Sequence, residues 1–264
     1  MERRGHNIGL NAALEEAKRR GEIGDYIRFK HLRNSTSPFD YFRFIFIKRL
    51  IGDIAHGSFL EIGCNTGYMA EYYDRSCFGL TLCDRDIFYL RCAKEYNEGR
   101  VKKANFCCAD IVDLPFKSRF DCIVCFEVLE HVPKARHEKA VLEILRVAKK
   151  GARIYLSTPN KISFPGLEGK IMELFFKDYK WNAWDLSHAY IYAAPEFATF
   201  IKKFDVSIKK VWGFYFLPGS LLARLPYFCA RGLGWLSYFI ARYAGSLFPF
   251  KYAGFTTIIE LIKK

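Results

Sequence analysis

Residues Phe59 to Ala70 read FLEIGCNTGYMA: an apolar run of strand length that breaks into a polar loop of Gly63, Cys64, Asn65, Thr66 and Gly67. A strand followed by such a loop brings backbone close to a ligand, and the residues that are missing narrow the choice. A P-loop needs Lys and then Ser or Thr after its last glycine, where this chain has Tyr68 and Met69. A dinucleotide fingerprint needs three glycines in GxGxxG spacing, and here only Gly63 and Gly67 occur. Asn65 stands where a middle glycine is common, and Asn tolerates the left-handed conformation, so the turn is still expected. The loop offers close approach without a phosphate cradle.

Outward from this stretch, short apolar runs alternate with charged helical segments, the pattern of βαβ units around a mostly parallel sheet. Strands are expected at Ser58–Ile62, Cys77–Cys83, Ala104–Ala109, Phe120–Phe126, Arg153–Ser157 and Val206–Gly213, with a terminal candidate at Gly254–Lys264. Helices are expected near Tyr68–Tyr73, Ile87–Tyr96, Lys134–Val147 and Pro195–Lys203. Upstream, Asn7–Arg20 reads as a polar helix and Ser37–Ile54 as a strongly apolar one. The chain therefore divides into a helical N-terminal cap (1–56), an α/β core (57–213 and 254–264) and an aromatic, basic insertion (214–253).

The 264 residues are 51% hydrophobic, enough for one sizeable core, and disorder is not expected. A net charge of +13 fits an acidic partner (nucleic acid, an anionic membrane face or a phosphorylated substrate) and equally a merely basic surface, and charge sign alone does not choose among them. Nine cysteines with no apolar leader in MERRGHNIGLNAALEEAKRR point to buried thiols and a cytoplasmic setting rather than a disulfide scaffold. Cys122 and Cys125 form a CxxC inside a strand pattern, where positions three apart face opposite sides, so neither metal binding nor redox chemistry is expected of them. In the insertion, Arg224, Arg231 and Arg242 interrupt the apolar runs well short of the ~18 uncharged residues a spanning helix needs. Their spacing aligns all three on one stripe if the segment is helical, although Pro226, Gly232 and Gly234 argue against one straight helix. Such a surface either lies on a membrane or closes over an apolar substrate, and an ordinary capping subdomain explains it equally well.

Asp84 ends the second strand seventeen residues past Gly67, where an acid accepts both hydroxyls of a ribose. Asp110 follows the third strand and suits an exocyclic adenine amine, with Ile111 against the ring. Asp86 is the better helix cap of the pair in LCDRD, and Asp113 before Leu114-Pro115 reads as a turn residue. Together these positions describe an adenosine site without phosphate.

The ordered series LEIGCNTG, LCDRD, ADIVDLPF, FDCIVCFEVLEHV and LSTPNK resembles the class I S-adenosylmethionine-dependent methyltransferases over roughly Gly57 to Lys161. The resemblance implies a Rossmann-like, seven-stranded sheet whose last strand inserts antiparallel, and S-adenosyl-L-methionine as cofactor. It implies that Glu61, Gly63, Cys64, Asn65 and Gly67 shape the methionine end of the site. Asp84 with Arg85 is then placed at the ribose, Asp110 with Ile111 at the adenine, and Glu127 as a further cofactor contact.

The segment EVLEHV follows the fourth strand. If Glu127 to His131 form a helical turn, Glu130 and His131 fall three and four residues from Glu127 and face one point. Two carboxylates and an imidazole suit a divalent cation, with His188 of WDLSHAYIYAAPEF as a fourth ligand; His131 or His188 acting as proton acceptor without metal is the alternative. His137, on the charged stretch KARHEKA, is expected in solvent. Here the resemblance narrows to two groups. Ubiquinone-pathway O-methyltransferases share the EVLEH-like segment, the ST.N strand end and a later His before a Pro-Glu helix. Small-RNA 2′-O-methyltransferases share Glu-x-x-Glu-His, a distant His and TPN, but this chain lacks a second downstream His near His188. The expected activity is O-methylation of a small apolar, lipid-linked or glycan-linked hydroxyl, with peripheral membrane contact. RNA 2′-O-methylation is the alternative, and a non-catalytic cofactor-binding protein the third. Nothing in the sequence sets the oligomeric state.

Overall fold

The computed structural model describes residues 38–51, 57–70, 79–101, 103–176, 180–183, 185, 187–216 and 227–264. The expected helix at Asn7–Arg20 lies outside them, as does Tyr68–Tyr73 beyond Ala70. Seven strands form one sheet: β1 (Ser58–Ile62), β2 (Gly79–Asp84), β3 (Ala104–Cys108), β4 (Phe120–Phe126), β5 (Ala148–Pro159), β6 (Val206–Phe214) and β7 (Thr256–Lys263). Their spatial order is β3-β2-β1-β4-β5-β7-β6. The first five pair in parallel, whereas β7 runs antiparallel to both β5 and β6. The order reverses between β1 and β4, so the loops after these two strands leave side by side at the carboxyl edge, where open α/β sheets take ligands.

Both faces are covered, which is why the central strands read as continuous apolar runs rather than alternating ones. On one face Leu60, Ile123, Cys125 and Ile154 pack with α3 (His137–Val147) and α5 (Ala194–Ile201). On the other, Phe59, Leu82, Cys122 and Val124 pack with α1 (Pro38–Ile51) and α2 (Ile87–Asn97). Cys122 and Cys125 thus lie buried on opposite sides, as their spacing requires. Asp86 caps α2, its Oδ1 accepting the Phe88 N–H at 2.8 Å.

Three elements differ from the sequence reading. Strand β5 begins at Ala148 rather than Arg153, because the chain still pairs with Phe120 before a register shift; the polar stretch AKKG resembles a turn only when this partner is ignored. A helix α4 (Phe164–Phe175) occupies a stretch for which the sequence reading names no element. Ser163 caps it, and a Cβ on Gly169 would sit 2.0 Å from the Trp181 ring, so close packing explains the glycine there. In the insertion, α6 (Tyr227–Tyr243) is one continuous helix through Gly232 and Gly234, followed by a short α7 (Phe250–Ala253). Its packing on α1, with Phe42 against Trp235 and Tyr238, outweighs the roughly 1 kcal/mol that each glycine costs.

Candidate active site

The loop after β1 is held open by backbone geometry. Gly63, Asn65 and Gly67 all have positive φ (74°, 50° and 65°), so Asn65 takes the left-handed turn that the sequence suggested. The N–H groups of Gly63 and Cys64 both donate to the Cys83 carbonyl, at 2.8 and 3.0 Å, joining the loop to the end of β2. There Asp84 Oδ2 accepts the Asn65 N–H at 2.9 Å and Oδ1 accepts the Asp86 N–H at 3.0 Å. The carboxylate is thereby fixed at the carboxyl edge of the sheet. Glu61 and Cys64 are buried beneath the loop, and Arg85 is exposed beside it. At the next strand end, Asp110 accepts the Val112 N–H at 3.2 Å and pairs with Arg136 at 3.2 Å, while Ile111 is buried.

The segment after β4 departs from the expected regular turn. Glu127 is left-handed, with φ 56°, and only Leu129–His131 form a 3-10 turn. Glu127 is tied to β5 instead: its N–H donates to Ser157 Oγ at 3.1 Å, and its Oε1 accepts the Ser157 hydroxyl proton at 2.8 Å. A non-glycine residue in this conformation costs on the order of 1–3 kcal/mol, the kind of strain that concentrates at functional sites. Val128 is pressed against the first loop, since a Cβ on Gly63 would lie 2.3 Å from its Cγ2.

The consequence is a different grouping of the predicted ligands. Glu130, His131 and His188 bring one ligand atom each within 4.8 Å of one another, and Glu127 stands outside that set. His188 arrives because the N–H groups of Ala189 and Tyr190 both donate to the Glu130 carbonyl, at 2.6 and 3.1 Å. The two imidazole centroids are 4.7 Å apart.

Hydrogen bonds set both tautomers. His188 Nδ1 lies 2.7 Å from the Asn182 carbonyl, which only accepts, so Nδ1 carries the proton and Nε2 a lone pair. His131 Nδ1 lies 2.9 Å from Ser187 Oγ, which donates its own proton to Asp185 Oδ1 at 2.7 Å. Burial opposes ionisation of Asp185, but bonds from the Ser187 hydroxyl and N–H and the nearby His188 and His131 hold its carboxyl below the usual range. Asp185 therefore accepts, Ser187 accepts from His131, and His131 Nε2 is also left with a lone pair. Burial first, then the neighbouring His188, pushes the His131 pKa down and keeps the ring neutral.

Beside these rings, Glu130 is 0% exposed and neither carboxylate oxygen has a hydrogen-bond partner among the described residues. Burial, reinforced by the charge of Glu127, drives its pKa well up, with Arg43 of α1 acting weakly the other way. Burial likewise raises Glu127, against the opposing effects of Arg43, the Ser157 bond and His188. An orphaned buried carboxylate grouped with two imidazoles within 4.8 Å is a donor set that fits a divalent cation.

Sequence reading missed Arg43, Arg136, Ser157, Asp185 and Ser187. Only Arg43 carried a local signal, as a lone cation within FDYFRFIF. His137 is corrected: it is 1% exposed, not in solvent, with Nε2 donating to the Val132 carbonyl at 2.8 Å and Nδ1 accepting from the Tyr192 hydroxyl at 2.7 Å. The charged residues of KARHEKA surround it in sequence, whereas its own position on α3 turns inward.

Residues 60–156, from β1 into β5, match the family model described as a methyltransferase domain. Among curated relatives, the ubiquinone biosynthesis O-methyltransferase of Coxiella burnetii is 30% identical over 103 residues, 39% of this chain and 43% of that protein. These matches support a class I S-adenosylmethionine-dependent methyltransferase domain over that stretch. The seven-stranded sheet of this chain also matches the magnesium protoporphyrin IX methyltransferase of Synechocystis PCC 6803, solved with S-adenosylhomocysteine, at TM-score 0.59 and 13% identity, covering 86% of each chain. The small RNA methyltransferase HEN1 is similar in fold at TM-score 0.59 and 16% identity, covering 84% of this methyltransferase and 25% of that chain. The match spans less than half the length of the Coxiella relative.

Proposed function

We propose that this methyltransferase transfers the methyl group of S-adenosylmethionine to a hydroxyl oxygen of a small apolar, lipid-linked acceptor, with Glu130, His131 and His188 holding a divalent cation at the acceptor. The observation that carries the reading is the Glu130 carboxylate, fully buried with no hydrogen-bond donor among the described residues and with one ligand atom each of Glu130, His131 and His188 within 4.8 Å of one another.

When bound, the cofactor supplies an electrophilic methyl and the cation supplies Lewis acidity toward the acceptor hydroxyl. The chain's own task is alignment and control of charge. Asp84, anchored by the loop N–H of Asn65, takes the ribose hydroxyls, and Asp110 with Ile111 takes the adenine. Gly63 and Gly67 let the methionine end approach the backbone. Glu127, fixed by Ser157 and pressed beside the loop through Val128, borders cofactor and acceptor together. The pair Asp185–Ser187 orients His131, and the Asn182 carbonyl orients His188, the supporting role that hydrogen-bond partners of ligating histidines perform.

The pairing of His131 and His188 with Glu130 also supports a second reading, 2′-O-methylation of RNA, because the same three-residue set suits a ribose hydroxyl. One experiment separates the two. Isotopically labelled S-adenosylmethionine is incubated with the protein and a cell extract, with and without a chelator, and the label is partitioned into lipid, RNA, protein and small-molecule fractions. Chelator-sensitive label in the lipid fraction is the expected result. Label in RNA replaces the acceptor assignment, and transfer that survives metal stripping removes the cation.

A further inference from the structure

Helix α6 and the segment after it present an unusual surface. Their inner side is ordinary: Ser237, Tyr238 and Ala241 are buried, the Ser237 hydroxyl accepts the Phe216 N–H at 3.2 Å, and Tyr238 meets Phe42 and Phe46 of α1. The outer side is apolar too. Trp235, Leu236, Phe239 and Tyr243 fall within an arc of about 100° at 3.6 residues per turn, and all four are exposed, Phe239 to 59%. Leu247 and Phe248 extend the surface past the helix end, Phe248 being 78% exposed. Arg231 and Arg242 border the arc on one edge, eleven residues apart, and the Arg242 guanidinium lies 5.0 Å from the Tyr243 ring centroid. Between Val206 and Ile259 the sequence has no Asp or Glu, against six Lys and Arg.

We infer that this face docks the protein onto an anionic lipid bilayer, with α6 lying in the plane of the interface. The chemistry matches that environment: Trp, Tyr and Phe favour the headgroup boundary, while long arginine side chains cover apolar surface and keep their charge among anionic headgroups. No helix among the described residues is long and apolar enough to cross a membrane, so α6 lies on the surface rather than through it. A second copy of the chain fits poorly. A two-fold contact through this face would set the arginines of one copy against those of the other with no acid to pair them. The inference deepens the lipid-linked acceptor reading, since a docked enzyme meets its acceptor at the bilayer.

The test is co-sedimentation of the full chain, without cofactor or acceptor, with vesicles of phosphatidylcholine alone and of phosphatidylcholine mixed with phosphatidylglycerol. Binding to the mixed vesicles, weakening as salt rises, is expected, with a blue shift of tryptophan emission. The double variant Phe239→Ser, Phe248→Ser should lose at least about tenfold in partition with its melting temperature kept, because both side chains are already exposed. The pair Arg231→Gln, Arg242→Gln should lose about fivefold per charge. Equal partition into both vesicle types overturns the inference, and so does a wild-type chain that binds neither but self-associates through the same phenylalanines. Because the assay needs no turnover, a chain that docks yet transfers no methyl refutes only the proposed activity.

Discussion

Glu130 concentrates the chemistry of the site in one residue. Its folded-state pKa is raised by burial, so the carboxyl favours folding while protonated, below the unfolded value of about 4.3. That contribution is lost as pH rises through the raised value. Ionising this carboxyl in the metal-free protein therefore costs stability, because no hydrogen bond from the described residues compensates the buried charge. Glu130→Gln should raise the melting temperature of the metal-free protein, the relief being on the order of 1–3 kcal/mol. It should also abolish any increase in melting temperature on adding manganese. A melting temperature that falls in the variant would mean that Glu130 is structurally satisfied. Asp84 offers the complementary test on the cofactor side. Removing a charged hydrogen-bond acceptor worth roughly 1.5–3 kcal/mol predicts a loss of about ten- to a hundredfold in S-adenosylmethionine affinity for Asp84→Ala, read by calorimetry; unchanged affinity removes Asp84 from the ribose.

The β1 loop and the segment after β4 behave as one device, because Gly63 and Val128 share a contact that leaves no room for a methyl group. Gly63→Ala therefore meets two penalties, left-handed strain of roughly 1–2 kcal/mol and displacement of Val128, which is followed directly by the turn carrying Glu130 and His131. The expected outcome is a modest fall in melting temperature with a disproportionate loss of turnover and cofactor affinity, measured side by side. Equal loss of all three would make the contact a matter of folding alone. The sequence announced both pieces, FLEIGCNTG and EVLEH, but not their contact. A helical reading of EVLEH followed naturally from carboxylates three and four apart, and it failed because Ser157, thirty residues away, captures Glu127 and turns its backbone left-handed.

Across the whole molecule, His137 links α3 to the segment that carries His188. Its ring is buried, which lowers its pKa, and it bonds Tyr192 and Val132. A histidine with a depressed folded-state pKa contributes stability that is present above the unfolded value of about 6.5 and lost as pH falls through the folded value. Acid titration of the melting temperature should show this loss below about pH 6.5, and His137→Gln should flatten it; an unchanged profile would place the transition in other groups. Strand and helix periodicity, the glycine spacing and the acids at strand ends all lie within short windows of sequence. They were enough to determine the α/β sheet, the left-handed glycine loop after β1, the cap at Asp86 and the opposite-facing Cys122 and Cys125. What remained undetermined depends on partners far apart in the chain. Arg43 faces Glu127 and Glu130 from α1, and the Glu130 carbonyl draws in the segment bearing His188. α6 persists through two glycines because α1 supports it, and His137 is buried although its neighbours are charged. Burial and long-range hydrogen bonding are properties of the assembled sheet and its two helical layers. Only the tertiary structure decided which of four predicted ligands converge, and which apolar face of α6 stays exposed.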